Sequence, residues 1–472
     1  MNCYDINIGI EIHTELNTKT KVFCGCGKSA NALPNSKLCP VCLALPGSIP
    51  LLNQKAVELT IKAGFCTNCE INQSVIFERK QYFYPDLTKS YQLSQVKTPF
   101  CVNGHLTLSS GKKIRISDIH LEEDTGKINH NIADGKSLID YNRCGLSLIE
   151  LVTHPDFSRG EEVVEFMEIL RWQYIYAGVS NCAMEEGEMR CDINLSVRKA
   201  GEKELGKRVE MKNIGSFKEI IKAVNFESQR QIFLLESGKK VAGETRKWDE
   251  KISESVAMRE KKGAVSYRVF AEPDLFNICI SDESLTKIKN SMPVLPAQHR
   301  EILKDKYNLT PYEINLFIKN KAGLELFMRC VSLYNNAKSI SNWILNDYLA
   351  LKNLQNGEIK ISDEDFVYII QLTDGKKITK TAGAALLKDV VLQNKSPQEI
   401  ISQTGMLNDL SEGEYGAFIN QALSENQKAL EDYKKNPDKV INFLIGQVMR
   451  LSKGKCKSDT VKEMLVEVIG KR

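Results

Sequence analysis

The sequence predicts an α+β protein, with a mainly antiparallel sheet and helices over residues 1–292, an all-helical domain over 293–396 and a small helical tail over 397–472. Three observations carry this. Alternation of apolar and polar residues, the period of a half-buried strand, recurs from the N-terminus until Met292-Pro-Val-Leu-Pro296. Beyond that break the apolar spacing is helical, and Ser396-Pro397 marks a second break. The 472 residues, 42% hydrophobic and 26% charged, have the composition of a globular protein of about two to four domains. No apolar run is long enough to span a bilayer, and the Met-Asn-Cys-Tyr-Asp start lacks the features of a signal peptide, so a cytoplasmic location is expected. In that setting the fourteen cysteines read as thiols or metal ligands rather than a disulfide framework.

The first strand runs from Asp5 to Leu16. Ile6, Ile8, Ile10 and Ile12 take one face, and Glu11, His13 and Glu15 the other, either as a metal or acid/base site or as a polar solvent face. Cys24-Gly-Cys26 and Cys39-Pro-Val-Cys42 then form two thiol pairs separated by a loop, the pattern of a structural Zn²⁺ site, with Cys66-x-x-Cys69 as a competing second pair. Four thiolates leave no open position, so a zinc hydrolase is excluded. Gly27-Lys28-Ser29 resembles the end of a phosphate-binding loop, but the leading glycine would have to stand at Val22, so any use of ATP relies on something else.

Arg79, Lys80, Tyr82 and Tyr84 interleave charge with aromatic rings, either to cradle a nucleotide or nucleic-acid end or to pack an edge strand. Ile114 and Ile116 alternate on even positions and Ile119 and Leu121 on odd ones; this phase slip predicts a bulge just before an acidic cluster, His120-Leu-Glu-Glu-Asp124. Glu150 lies in a strand apolar on both faces, where a carboxylate requires a cation or hydrogen-bond donors; an ion pair with Arg143 is the alternative.

A helix is expected over about 159–178. The following strand sends Met189, Cys191, Ile193, Leu195 and Val197 one way and Arg190, Asp192 and Asn194 the other, and Arg208 to Asn213 returns as the second strand of a hairpin with Glu210 and Lys212 on its polar face. Helices are then expected near 297–308, 311–320, 322–336, 339–353, 363–373, 379–392, 437–451 and 458–469. From Pro437 to Arg472 eight Lys or Arg face four Asp or Glu. The turn carrying Arg450, Lys453, Lys455 and Lys457 is either a solvated helix end or a nucleic-acid contact.

Together, Gly9-Ile-Glu-Ile-His13, Tyr82-Phe-Tyr-Pro-Asp86, His120-Leu-Glu-Glu-Asp124, Asp140-Tyr-Asn-Arg143, Met184-Glu-Glu-Gly187, Arg190-Cys-Asp192 and Gly446-Gln-Val-Met449 resemble, in order and over essentially the whole chain, the B subunit of the tRNA-dependent amidotransferases. The resemblance implies a catalytic cradle, a helical domain and a tRNA-contacting tail. It also implies a complex with an amidase-type A subunit and a small C subunit. Such a complex converts Glu-tRNA(Gln) or Asp-tRNA(Asn) to the amidated form, with ATP activating the side-chain carboxylate and ammonia displacing phosphate.

Carried over by position, the family pattern implies His13, Glu123 and Glu150 as Mg²⁺ ligands, with Glu11, Glu122 and Asp124 supporting them or holding a second ion. Strand-face geometry, rather than the family pattern, offers Asp192 and Glu210 to accept a proton from ammonium and Arg190 and Lys212 to offset charge on an acyl phosphate. The chain departs from the pattern at Ser147, Gly215 and Ala271, so the loops shaping the acceptor pocket are expected to differ. A non-catalytic tRNA-binding scaffold is the alternative reading.

Overall fold

The computed structural model describes residues 3–470 apart from 29–31, 133–134, 261–266, 356–358, 406–411, 428–436, 453–455 and 457. The chain separates into two compact units, Met1–Gln298 and His299–Arg472, so the division falls just beyond the Met292–Pro296 break.

The first unit is built on a nine-stranded sheet. Its strands are β1 (Tyr4–Glu15), β2 (Glu70–Ile71), β6 (Cys101–Thr107), β7 (Lys113–Glu123), β10 (Ser147–Thr153), β11 (Met189–Lys199), β12 (Val209–Lys212), β13 (Glu244–Asp249) and β14 (Glu254–Glu260), in the order β14-β13-β12-β11-β1-β10-β7-β6-β2. Smaller sheets join β3 (Ser74–Val75) to β16 (Ile278–Cys279), β4 (Glu78–Gln81) to β5 (Tyr91–Ser94) and β15 (Arg268–Ala271), and β8 (Lys127–Ile132) to β9 (Lys136–Asp140). All pairings in the large sheet are antiparallel except β12 with β13, which are parallel because a helix crosses between them.

One face of the large sheet is apolar. Ile8, Ile10 and Ile12 of β1, Ile149 and Leu151 of β10, Ile119 and Leu121 of β7, and Cys191, Ile193 and Leu195 of β11 share a single core with three helices, α1 (Gln54–Cys66), α2 (Gly160–Ala177) and α3 (Phe217–Glu236). Helix α2 ends as its composition dictates, with Gly178 in the left-handed region at φ 70°. Its Gly160 permits close approach to α3, since a Cβ there would stand 2.8 Å from the Ile221 Cα. The helices α1 and α3 were not anticipated from the sequence, although both carry cap signals. The Asn53 side chain accepts from the Lys55 and Ala56 amides, and the Ser216 hydroxyl accepts from the Glu219 amide.

The anticipated bulge is present. Val152 faces Asp118 but Thr153 faces Ile116, leaving Ser117 without an opposite number on β10. Before it Ile114 and Ile116 point into the core; after it Ile119 and Leu121 do. His120 and Glu122 are thereby turned to the polar face.

In the second unit the expected helices appear as Pro311–Ile318, Lys321–Leu333, Asp363–Asp374 and Lys380–Gln393, while the segment over 337–354 runs through a π-helical stretch, Trp343–Tyr348. The tail helices Pro437–Leu451 and Ser458–Gly470 close a core with Tyr415, Ile419 and Leu423, using Val440, Leu444 and Val448 as anticipated.

Deleting Ser117 removes the extra residue and lets β7 alternate without a slip, with Ile114, Ile116, Ile119 and Leu121 still on the core face and His120 and Glu122 still on the polar one. The expected cost is therefore about 2 kcal/mol of unfolding free energy or less, because no charged side chain changes face. The denaturant midpoint of the full chain checks this, and loss of the cooperative transition would contradict it.

Candidate functional site

Strand alternation and register bring the polar side chains into two cross-strand rows on the open face of the sheet. In one row Arg190 of β11 lies opposite His13 of β1, His13 opposite Glu150 of β10, and Glu150 opposite His120 of β7. In the other, Asp192 of β11 lies opposite Glu11 of β1, and the hairpin register continued by one pair sets Lys212 of β12 beside Asp192. A cavity of about 610 Å³ opens over both rows, lined by His13, Glu122, Glu150, Arg190, Asp192 and Lys212 and, on its other walls, by Lys80, Tyr82, Asp124 and Tyr267.

The first row ends in a group that could hold a metal ion. One ligand atom each from His13, Glu122 and Glu150 lies within 4.8 Å of the others. His13 Nε2 is 3.5 Å from Glu122 and 3.6 Å from Glu150. Here the structure corrects the expectation for Glu123. As the odd-numbered neighbour it points to the opposite face, where Lys89 Nζ contacts both carboxylate oxygens and the Leu93 amide donates to one at 2.9 Å. Glu122 takes its place beside His13 and Glu150.

Asp124 is also committed elsewhere, with Arg143 Nε at 3.1 Å from one oxygen and Arg190 Nη2 at 3.1 Å from the other. Arg143 is therefore the partner of Asp124, and the charge opposite Glu150 comes from histidine instead. His120 Nε2 is 3.1 Å from Glu150, and its Nδ1 is 2.9 Å from Asp118.

A second group joins Glu11, Asp192 and Glu210, again with ligand atoms within 4.8 Å. The Lys212 ammonium lies 2.5 Å from Asp192 and 2.9 Å from Glu210, whereas Glu11 accepts from Asn194 Nδ2 at 2.9 Å. Burial, and then the charge of Glu150, push the Glu11 carboxyl above its ordinary value.

Of the aromatic-basic stretch, Lys80 and Tyr82 reach the cavity and Arg79 and Tyr84 do not. Arg79 projects to the other side of β4, makes two 2.8 Å hydrogen bonds to Glu272 and lies 4.5 Å over the Tyr91 ring; Tyr84 is 51% exposed. The side chain missed from the sequence is Tyr267, whose ring centroid is 5.9 Å from that of Tyr82 and 5.3 Å from Lys80 Nζ. Among the three departures only Gly215 lines the cavity. Ser147 is buried against the Thr18 hydroxyl at 3.2 Å, and Ala271 of β15 pairs with Glu78 of β4.

Cys24, Cys26, Cys39 and Cys42 converge with their sulfurs within 4.8 Å of one another. Cys42 is the hub, 3.4 Å from Cys24 and 3.7 Å from both Cys26 and Cys39, and the buried Lys21 ammonium lies 3.4 Å from its sulfur. The hydrogen bond from Cys24 pulls the Cys42 thiol down to about 4 against the effect of burial. Cys66 is excluded from this cluster, being buried in the sheet core with its thiol toward the Gln173 carbonyl. In the tail Arg450 is exposed, while Lys453, Lys455 and Lys457 lie outside the described residues.

Burial alone would lower the His120 imidazole, but hydrogen bonds to Asp118 and Glu150 outweigh it and hold the ring at about 10. Burial likewise opposes ionising the two neighbouring carboxyls. Glu150 is nevertheless held below its ordinary range by His120, and Glu122 is pushed up by burial and then by the Glu150 charge. The folded His120 value lies above the ordinary 6.5, so the charged ring's contribution to stability is complete below that pH and is lost as the pH rises through about 10. In the metal-free chain the His120 ring is thus expected to stay protonated through pH 8. Nitrogen-15 spectra of the imidazole would check this, and a titration near 6.5 would contradict it.

Residues 6–286 match the family model described as the GatB/GatE catalytic domain, and residues 325–469 match that described as the GatB domain. The B subunit of the aspartyl/glutamyl-tRNA(Asn/Gln) amidotransferase of Lachnoclostridium phytofermentans is 41% identical over the full length of both chains. The corresponding B subunits of Caldicellulosiruptor saccharolyticus and Clostridium acetobutylicum, in the latter the one numbered 2, are each 40% identical over 99% of both chains. No helix among the described residues is long and apolar enough to cross a membrane. With its acid-lined sheet face, four-cysteine cluster and full-length likeness to these proteins, the chain belongs to the B-subunit family of the aspartyl/glutamyl-tRNA(Asn/Gln) amidotransferases, ligase-type enzymes of protein biosynthesis.

Proposed function

We propose that this chain binds Glu-tRNA(Gln), Asp-tRNA(Asn) or both and phosphorylates the side-chain carboxylate with ATP. It then presents the acyl phosphate to ammonia delivered by an amidase-type A subunit in a complex completed by a small C subunit. The observation that carries this reading is the His13–Glu122–Glu150 group, open to a cavity whose other walls bring up Lys80, Arg190 and Lys212 and the rings of Tyr82 and Tyr267. A carboxylate is a poor electrophile, and phosphorylation gives it a leaving group. The substrate oxygen attacks the γ-phosphorus and ADP departs; ammonia nitrogen then attacks the acyl carbon and phosphate departs.

One nitrogen and two carboxylates, with room for water and phosphate oxygens, is a donor set that fits Mg²⁺. When bound, the ion would neutralise the crowded phosphoryl oxygens. The chain's own residues do the rest. Lys80, Tyr82 and Tyr267 offer charge and aromatic faces to a nucleotide base or to the terminal adenosine of the tRNA. Arg190, held by Asp124, keeps a fixed positive charge on the cavity wall. Asp192 and Glu210, on the second row, are the candidates for taking a proton from ammonium, since only neutral ammonia is a nucleophile.

The four-cysteine cluster is assigned a structural Zn²⁺, and the tail over 397–472 a tRNA contact through Arg450, Lys453, Lys455 and Lys457, supported by the positive balance of that segment.

Two experiments test these assignments. Reconstituted with its A and C partners, Glu150→Gln is expected to lower ATP-dependent amidation by on the order of 100-fold or more while changing tRNA affinity by no more than about twofold. Undiminished amidation would sink the phosphorylation site. Elemental analysis after anaerobic purification should find one zinc per chain, removed by chelator together with part of the thermal stability; a zinc-free, equally stable protein would remove the cysteine assignment.

A further inference from the structure

We propose that Lys21 is the built-in counter-charge of the four-cysteine centre, donating its ammonium to the Cys42 thiolate and so protecting the metal-loaded sulfurs from electrophiles. The inference rests on the structural Zn²⁺ reading above and adds to it a residue outside the ligand set that governs how reactive the sulfurs are.

Lys21 is a buried cation without an acid. It is 1% exposed and ranks among the largest fully buried side chains, yet no carboxylate among the described residues pairs with its ammonium. Lys62, the other buried lysine among the described residues, reaches Glu58 at 3.0 Å. The Lys21 ammonium instead donates to the Lys37 carbonyl at 3.1 Å and to the Cys42 sulfur at 3.4 Å. A buried ammonium is costly unless an anion lies beside it, and the anion available here is sulfur. Four neutral thiols would leave Lys21 uncompensated. Four thiolates around a divalent ion keep negative charge in excess, and that excess is what Lys21 answers.

The ammonium is also held in place. The Lys21 backbone amide donates to the Cys26 carbonyl at 2.9 Å, and the next amide, that of Val22, donates to the Gly145 carbonyl at 2.9 Å. The side-chain stem packs against Gly145, where a Cβ would stand 3.6 Å from the Lys21 Cδ. Its carbonyl acceptor is fixed in turn, since the Lys37 amide donates to Asn142 Oδ1 at 2.9 Å. Lys21 therefore bonds to both halves of the knuckle, through Cys26 of the first thiol pair and Cys42 of the second.

Of the four sulfurs it meets the one that matters most. Cys42 is the buried hub of the cluster, and all four sulfurs lie within 4.8 Å of one another, so a positive charge on Cys42 acts on the whole set. An N–H···S bond draws charge from a thiolate and makes it a weaker nucleophile. Groups that hydrogen-bond to metal ligands from outside the ligand set govern such centres strongly. Burial shields Cys42, whereas Cys24, Cys26 and Cys39 are partly exposed and depend on charge for protection.

The test compares two ways of stripping zinc from the full-length, zinc-loaded chain, with release followed by a chromogenic zinc indicator. N-ethylmaleimide attacks sulfur: a carbon–sulfur bond forms at the alkene, the adjacent carbon takes a proton from water, and the zinc–sulfur bond breaks. EDTA attacks the metal and, as a polyanion, gains nothing from added negative charge. In Lys21→Met, which keeps the stem and removes the ammonium, maleimide-driven release should be faster by about tenfold or more, with EDTA-driven release unchanged or slower. In the Co²⁺-substituted chain the same change should move the thiolate-to-cobalt charge-transfer band to lower energy. A crystal structure of the zinc-loaded parent should keep Lys21 Nζ within hydrogen-bonding distance of Cys42 Sγ, a readout that needs no variant to fold. Unchanged maleimide-driven release, equal acceleration by both reagents, an unmoved band, or Nζ withdrawn from Cys42 in the zinc-loaded parent overturns the inference and leaves the zinc reading standing. A parent chain that binds no zinc brings down both.

Discussion

The structure depends on how one strand sets aside an extra residue. A β-strand alternates its side chains, so a strand whose apolar phase is set at Ile114 and Ile116 would carry His120 and Glu122 into the core. Ser117, unpaired against β10, inverts the phase, and the same sheet can then bury Ile119 and Leu121 while offering His120 and Glu122 to the cavity. The apolar face needs this as much as the polar one does, since α1 and α2 pack where buried charge would be intolerable. Every cross-strand relation of the site follows from that phase and from the order β11-β1-β10-β7, which lines Arg190, His13, Glu150 and His120 in a row.

Much of this was legible in the sequence because it is local. The alternation of β1 and β11, the phase slip in β7, the thiol spacing and most helices of the second unit are patterns within a dozen residues, and they reappear in the structure. What was not legible is mostly non-local. Which strand lies beside which is decided by packing across the sheet, so the choice of Arg143 or histidine as the cation nearest Glu150 could not be made from spacing, and the answer is histidine. Glu122 and Glu123 differ by one position and therefore by a face; only the register shows which faces His13. Arg79 and Lys80 pose the same problem on β4, and Tyr267 reaches the cavity from a segment far along the chain. The helices α1 and α3 are a different failure, because Asn53 and the Ser216-Phe-Lys-Glu219 sequence are cap signals present in the chain itself.

The uneven neutralisation of the acids is the most informative property of the site. A sheet end with this many carboxylates could have been made stable by pairing each with an arginine or lysine, and for Glu123 and Asp124 it has been. Around Glu122 and Glu150 the compensating charge is that of the His120 imidazole, and His13 beside them is a metal-capable donor. A fully paired surface would be a structural ion network with nothing left to offer. The group left without a lysine or arginine of its own, His13, Glu122 and Glu150, borders the cavity, which is where a phosphoryl transfer to an anionic acceptor needs added positive charge.

The cysteine cluster fits the same economy of position. Between β1 and α1 the described residues from Leu16 to Asn53 form no helix or named strand, a length that seldom holds its place without help. Three sulfurs gathered around that of Cys42 close that loop on itself, and Lys21 sets a positive charge against the cluster. The Cys42 carbonyl in turn accepts from the Thr88 hydroxyl at 2.7 Å, and the next residue, Lys89, holds Glu123. The loop is therefore tied through Thr88 and Lys89 to the end of β7, one residue from Glu122. A metal in that cluster would stabilise the acid-bearing strand end without touching the substrate, because Lys89 fixes Glu123 and the strand then leaves Glu122 only the face it shares with His13 and Glu150.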